Sequence, residues 1–141
     1  FEVEITLPEL TSLETSGSGD ISSASPFKGK ELDLDLSGSG DINLDVNYEE
    51  INATLSGSGD LEMRGYADEL TIECSGSGSV EAQKLQAKEV IIETSGSGDA
   101  TVHASKSLDV TTSGSGSTYY YGNPASVLTD QSGSGSAIKK D

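Results

Sequence analysis

The chain has 141 residues, a net charge of -16, a single cysteine, and 33% hydrophobic residues supplemented by 17 glycines. That length suits one domain, the apolar-plus-glycine content is ordinary for a globular protein, and the negative field excludes phosphate backbones and disfavours anionic membrane surfaces as partners. One cysteine, Cys74, allows no intrachain disulfide and no cysteine metal cluster, and no stretch approaches an apolar membrane span.

The first residues, Phe1-Glu2-Val3-Glu4-Ile5, already alternate like a strand. No initiator Met and no signal-like segment stands before them. They read as the trimmed start of a longer precursor, with upstream N-terminal rungs missing. From there Ser-Gly-Ser-Gly recurs at 16–19, 37–40, 56–59, 75–78, 95–98, 113–116 and 132–135, so successive copies start 18 to 21 residues apart. A flexible Gly/Ser linker would not return at this interval between aliphatic segments. A fixed period near twenty is the signature of a solenoid.

Alignment on the first Ser of each copy exposes the pattern. Five residues before it stand Thr11, Leu32, Ile51, Leu70, Val90, Leu108 and Val127; one before it stand Thr15, Leu36, Leu55, Cys74, Thr94, Thr112 and Gln131. Five residues after it come Ile21, Ile42, Leu61, Val80, Ala100, Thr118 and Ala137. All these offsets are odd, and a strand alternates faces with period two. The odd positions therefore line one interior, and both motif glycines fall on that side, where they would let the walls approach closely. Phase carried straight through each motif favours a bend in a solenoid over the reversal of a hairpin meander. The expected fold is all-β: one parallel β-solenoid (β-helix) domain over residues 1–141, with about seven rungs of 18–21 residues, spaced about 4.8 Å apart, right-handed by the crossover rule.

The variable second bend of each rung takes the turn-formers, as in Pro26-Phe27-Lys28-Gly29-Lys30 and Gly122-Asn123-Pro124. Residues 83–89 are the one weak helical candidate. Acidity is uneven: residues 1–75 carry -14 and residues 76–141 carry -2. Lys139, Lys140 and Asp141 read as charged gatekeepers on the last open rung.

The recurring Ser-Gly-Ser-Gly-Asp followed by an aliphatic residue resembles the bacterial auto-transporter adhesin head GIN domain family. The ending is more specific: Ser115-Gly116-Ser117, then Tyr121-Gly122-Asn123-Pro124, then Ser132-Gly133-Ser134-Gly135-Ser136 with Ile138-Lys139-Lys140. The resemblance spans the whole sequence as the later part of the family domain. It implies a bacterial cell-envelope, surface or secreted protein with a β-helical fold, and it carries no established functional residues.

Chemistry is sparse. His103, the only histidine, takes an outward position with no second histidine to build a metal site or triad, and the serines lack an activating base. Acidic polysaccharides would need basic residues along one face, and the chain has one arginine. The strongest chemical signal is a carboxylate column four residues after each motif start, where Asp20, Asp41 and Asp60 should stack on adjacent rungs as a candidate calcium site. The Gly-Ser-Gly-Asp string is similar to the calcium repeat Gly-Gly-x-Gly-x-Asp, but returns every nineteen residues rather than every nine. Tyr119-Tyr120-Tyr121 is the one aromatic cluster. By alternation Tyr120 points inward, leaving Tyr119 and Tyr121 as candidate ligand contacts.

The leading reading is a non-enzymatic envelope or secreted module with an adhesin-like binding or structural role and no cofactor. Its expected partner is a surface glycan or a protein, not nucleic acid; homo-oligomerisation is left open. A calcium-stabilised β-roll is the second reading and a carbohydrate-active β-helix enzyme the third.

Overall fold

The computed structural model describes residues 2–5, 12–15, 17–18, 20–23 and 27–140. They form eleven strands and no helix: β1 (Glu2–Ile5), β2 (Ser12–Thr15), β3 (Asp20–Ser23), β4 (Phe27–Leu36), β5 (Ile42–Leu55), β6 (Leu61–Cys74), β7 (Val80–Thr94), β8 (Ala100–Thr112), β9 (Thr118–Tyr121), β10 (Ser126–Gln131) and β11 (Ala137–Lys139). Every pairing is parallel, and each strand lies against the one a turn further on. The result is a β-solenoid of about six turns. Seven motif copies bound six intervals, which accounts for the difference from the seven rungs read off the sequence.

Register confirms the alignment residue by residue. Leu32, Ile51, Leu70, Val90 and Leu108 pair in succession, as do Leu36, Leu55, Cys74, Thr94 and Thr112. All ten are buried, because alternation sends each odd position into the space between the walls. Leu32-Asp33-Leu34-Asp35-Leu36 shows the rule most plainly: its leucines are buried and its aspartates exposed. The last rung departs from it. Val127, Thr129, Gln131 and Lys139 occupy inward columns yet are exposed, since no described rung stacks over them. Thr11, also in an inward column, lies outside the described residues.

The glycines are there for a different reason from the one expected. A Cβ on Gly57 would run into the carbonyl oxygen of Gly38 and meet that of Ser37 at 2.7 Å; one on Gly59 would run into the carbonyl of Gly40. The obstacle is the backbone of the preceding rung along the column, not the opposite wall. Stacked corners at the strand spacing leave no volume for a side chain aimed at the neighbour. The backbone ladder continues through the bend: the Ser56 N–H donates to Leu36 O at 2.9 Å, Gly59 N–H to Gly38 O at 3.2 Å, and Ile42 N–H to Asp60 O at 2.9 Å.

The second bend is less regular. Gly65 and Gly122 alone among the described residues have positive φ, 122° and 97°, a conformation that favours glycine. Residues 83–89, the helical candidate, are strand instead. Register between β6 and β7 shifts between Glu62 and Arg64, and between β7 and β8 it shifts at Ala82/Gln86 and Ala87/Glu89. Pairing on both sides overrides the helix propensity of Gln-Lys-Leu-Gln-Ala-Lys, and bulges take up the unequal rung lengths.

Candidate functional site

The carboxylate column sits where each glycine corner ends and the next strand begins. At that point the Asp41 N–H donates to Asp20 Oδ1 at 2.9 Å, Asp60 N–H to Asp41 Oδ1 at 3.0 Å, and Ser79 N–H to Asp60 Oδ1 at 2.9 Å. Higher in the column the Ser117 N–H donates to Asp99 Oδ1 at 2.8 Å. Where serine is the acceptor, Ser136 N–H to Ser117 Oγ, the distance opens to 3.4 Å. Each aspartate is thus a clamp on the next rung, accepting a charge-assisted hydrogen bond from a backbone amide. The three candidate calcium ligands are stacked and exposed as the sequence implied. Among the described residues, no three His, Cys, Asp or Glu side chains converge in a way that could hold a metal ion.

The tyrosines lie at the C-terminal end of the same outer wall. Tyr119 pairs in register with Thr101 and Ile138, and Tyr121 with His103. All three tyrosines are half-buried, so alternation separates them less sharply than the sequence implied. Lys140 Nζ stands 5.1 Å from the Tyr119 ring centroid, within cation–π range. Lys139 Nζ donates to Asn123 Oδ1 at 2.9 Å. His103, expected in solvent, is half-buried, and its Nδ1 is buried without a hydrogen-bond partner. The turn at Gly122 brings backbone over it: a Cβ on Gly122 would lie 3.3 Å from His103 Cε1.

A third feature is a ladder of glutamates. On the other outer wall Glu31, Glu50, Glu69 and Glu89 pair in direct succession. They line an open groove of about 420 Å3 together with Glu49, Asp68 and Lys30. Counterions are few here: Lys106 Nζ lies 3.8 Å from Glu89 and Lys88 Nζ 3.4 Å from Asp68. The Tyr66 hydroxyl donates to Asp68 Oδ1 at 2.7 Å. That bond, aided by Lys88, holds the Asp68 carboxyl below the usual carboxylate range, while Tyr66 and Asp68 push Lys88 up. Beside the glutamates, Ile91 and Leu128 are 50% and 62% exposed and line a second groove of about 240 Å3. The repeat alignment contained this signal, since the glutamates stand six residues before the second to fifth motif starts.

Residues 1–124 match the family described as putative auto-transporter adhesin, head GIN domain. A putative adhesin from Bacteroides fragilis is similar in structure, with a TM-score of 0.90 and 27% identity over 93% of this chain and 61% of that one. A putative lipid binding protein from Parabacteroides distasonis has a TM-score of 0.89 and 29% identity, over 99% of this chain and 58% of that one. A putative adhesin from Parabacteroides merdae, at 24% identity and a TM-score of 0.79 over 94% and 64% of the two chains, shares the fold. This chain therefore spans about three fifths of the length of the structures it matches. No curated protein matches it. The matched span stops at Pro124, so the sequence signature quoted from Ser132 to Lys140 lies beyond it.

Proposed function

The chain belongs to the auto-transporter adhesin head GIN domain family, and we propose that it serves as a non-enzymatic, adhesin-like binding or structural module at the bacterial surface or in secreted form. The observation that carries this reading is the column itself. A packed interior and continuous outer walls present side chains in fixed ladders one rung apart, which suits recognition of an extended partner better than chemistry on a small one. Catalysis would need an activated nucleophile or a matched acid and base within reach of one substrate atom. The outer ladders instead repeat a few side-chain types, as in the column Asp41, Asp60, Ser79, Asp99 and Ser117.

Within this reading Tyr119 and Tyr121 are the ligand contacts, with Lys140 beside them, and the expected ligand is a surface glycan or a protein. The deciding experiment is binding of the folded, monodisperse chain to an array of glycans and matrix proteins, with and without calcium. Liposomes belong in the array because a similar structure is named a lipid binding protein. Reproducible binding that Tyr119→Ala or Tyr121→Ala weakens at least tenfold is the expected result. Binding unaffected by either change would move the site elsewhere, and a blank array would leave a scaffold role.

The in-register stack of Asp20, Asp41 and Asp60 favours a second reading, stabilisation by calcium. Paired Asp41→Asn and Asp60→Asn changes keep an oxygen acceptor for the next amide while removing two charges. A rise in Tm with millimolar calcium that these changes abolish supports the reading; no rise with calcium removes it.

A further inference from the structure

Tyr121 is the last member of an outward column that runs along the second bend. Asn47, Tyr66, Gln86, His103 and Tyr121 pair in direct succession on adjacent strands, from β5 to β9. All five side chains are planar. A chain in which 23% of residues are charged keeps this ladder free of acids, lysines and arginines from turn to turn. Asn47, Tyr66 and Gln86 are exposed, while His103 and Tyr121 are half-buried.

The backbone holds the column in line. Register shifts between Glu62 and Arg64, and between Ala82 and Gln86, absorb the unequal rung lengths and bring Tyr66, Gln86 and His103 back into succession. The two residues of positive φ, Gly65 and Gly122, adjoin Tyr66 and Tyr121, so a glycine shapes the bend beside each of these rings. The Tyr66 ring is also anchored, by its 2.7 Å hydroxyl bond to Asp68. A platform fixed before its ligand arrives loses little freedom on binding.

Aromatic rings offer apolar faces to the C–H faces of sugar rings, and primary amides offer donors and an acceptor to vicinal hydroxyls. Here the order is amide, ring, amide, ring, ring, repeated at the rung spacing of about 4.8 Å and spanning about 19 Å. An extended β-linked pyranose chain advances by close to one rung per sugar, so successive turns can each meet one sugar. Charge narrows the class further. The flanks mix signs: Asp45, Arg64 and Lys84 pair in succession on one side, and Asp68 lies 3.4 Å from Lys88 on the other. No local excess of cations offsets the net charge of -16, which repels uronates and sulfated sugars.

We propose that this column is a binding strip for an extended neutral glycan lying parallel to the solenoid axis, with Tyr66 and Tyr121 as stacking platforms and Asn47 and Gln86 as hydroxyl partners. It rests on the adhesin-like reading, shares Tyr121 with it, and narrows the ligand to a neutral β-linked polysaccharide.

Calorimetric titration of the folded chain with cellohexaose, xylohexaose and β-mannohexaose, against their disaccharides and hexagalacturonate, tests this. At least one neutral hexasaccharide should bind about tenfold tighter than its own disaccharide, and hexagalacturonate should not bind. Tyr66→Ala should weaken hexasaccharide binding about tenfold and Gln86→Leu about threefold. Tyr66→Phe keeps the platform and should stay within about twofold. Both side chains are exposed, so these variants should keep the fold, which circular dichroism checks. Hexasaccharide binding that neither Tyr66→Ala nor Gln86→Leu weakens overturns the proposal, as does equal affinity for a disaccharide or for hexagalacturonate. Failure of every neutral hexasaccharide, with an arrayed protein bound through Tyr119 or Tyr121, overturns it too and leaves the adhesin-like reading standing. No binding in either assay overturns it and leaves only a scaffold role.

Discussion

At the residue scale, Gly38 and the motif glycines from Gly57 onward are set by the rung beneath each of them. Gly57→Val places a branched side chain against the Gly38 carbonyl, and backbone cannot withdraw as a side chain could. We expect a loss of about 3 kcal/mol, read by chemical denaturation. Ser58 is exposed in the same corner, and Ser58→Val should stay within about 0.5 kcal/mol. Equal tolerance of the two would show that the corner is not stacked. Cys74 makes a different point. Burial pushes its thiol up from 9.0, against a smaller opposing effect of the Gly76 amide. The folded state therefore favours the neutral thiol. Its contribution to stability is complete below the unfolded value and is lost as pH rises through the folded one. Native protein should resist alkylation at neutral pH and label fully in denaturant; rapid labelling of the native state would place the thiol outside the core.

At the scale of the element, the question is what keeps adjacent turns in register where the strand bends. Within the strands, regular parallel pairing and buried aliphatic columns suffice. At the corner exit the aspartate clamps take over, each carboxylate holding the amide of the next turn. Asp41→Ala removes an acceptor that Asp60 N–H uses at 3.0 Å and should cost about 1 kcal/mol, modest because the group is exposed. Asp41→Asn keeps the oxygen and should cost less. If asparagine proves as damaging as alanine, charge rather than the amide bond is the stabilising part. The chain contains its own weaker version of the device, since Ser117 as acceptor gives the longer distance.

For the molecule as a whole, stability is the sum of neighbouring turns, because each buries its apolar residues only against the next. Excision of residues 56–74, one 19-residue period, should leave a folded column one turn shorter. It restores every inward column, joining Leu55 to Ser75 and stacking Gly76 on Gly38. Removing an odd number of residues from within one strand inverts its in-out phase and should leave the chain unfolded by circular dichroism. Charge acts at this scale too. Glu31, Glu50, Glu69 and Glu89 stack at the rung spacing within a chain of net charge -16. Like charges about 4.8 Å apart repel by about 1 kcal/mol in water-like dielectric, and salt screens this. Tm should accordingly rise by several degrees between 20 mM and 500 mM NaCl; a fall would mean that ion pairs such as Lys88–Asp68 outweigh the repulsion.

The sequence by itself determined the class of fold, the in-out phase of nearly every described residue and the family. It could do so because strand alternation and the repeat period are properties of spacing alone, and each turn repeats the same test. The stacking of Asp20, Asp41 and Asp60 followed from the same spacing. Their employment did not: only the rise from one turn to the next brings an amide to each carboxylate. The reason for the glycines was likewise hidden, since alternation distinguishes inside from outside but not the direction along the column, where the obstructing carbonyl lies. Residues 83–89 became strand through pairing partners about twenty residues away on either side, which local propensity does not register. His103 lost its exposure to a turn at Gly122, a contact between neighbouring turns rather than neighbouring residues. Spacing fixes which way a side chain faces; stacking decides what it meets there.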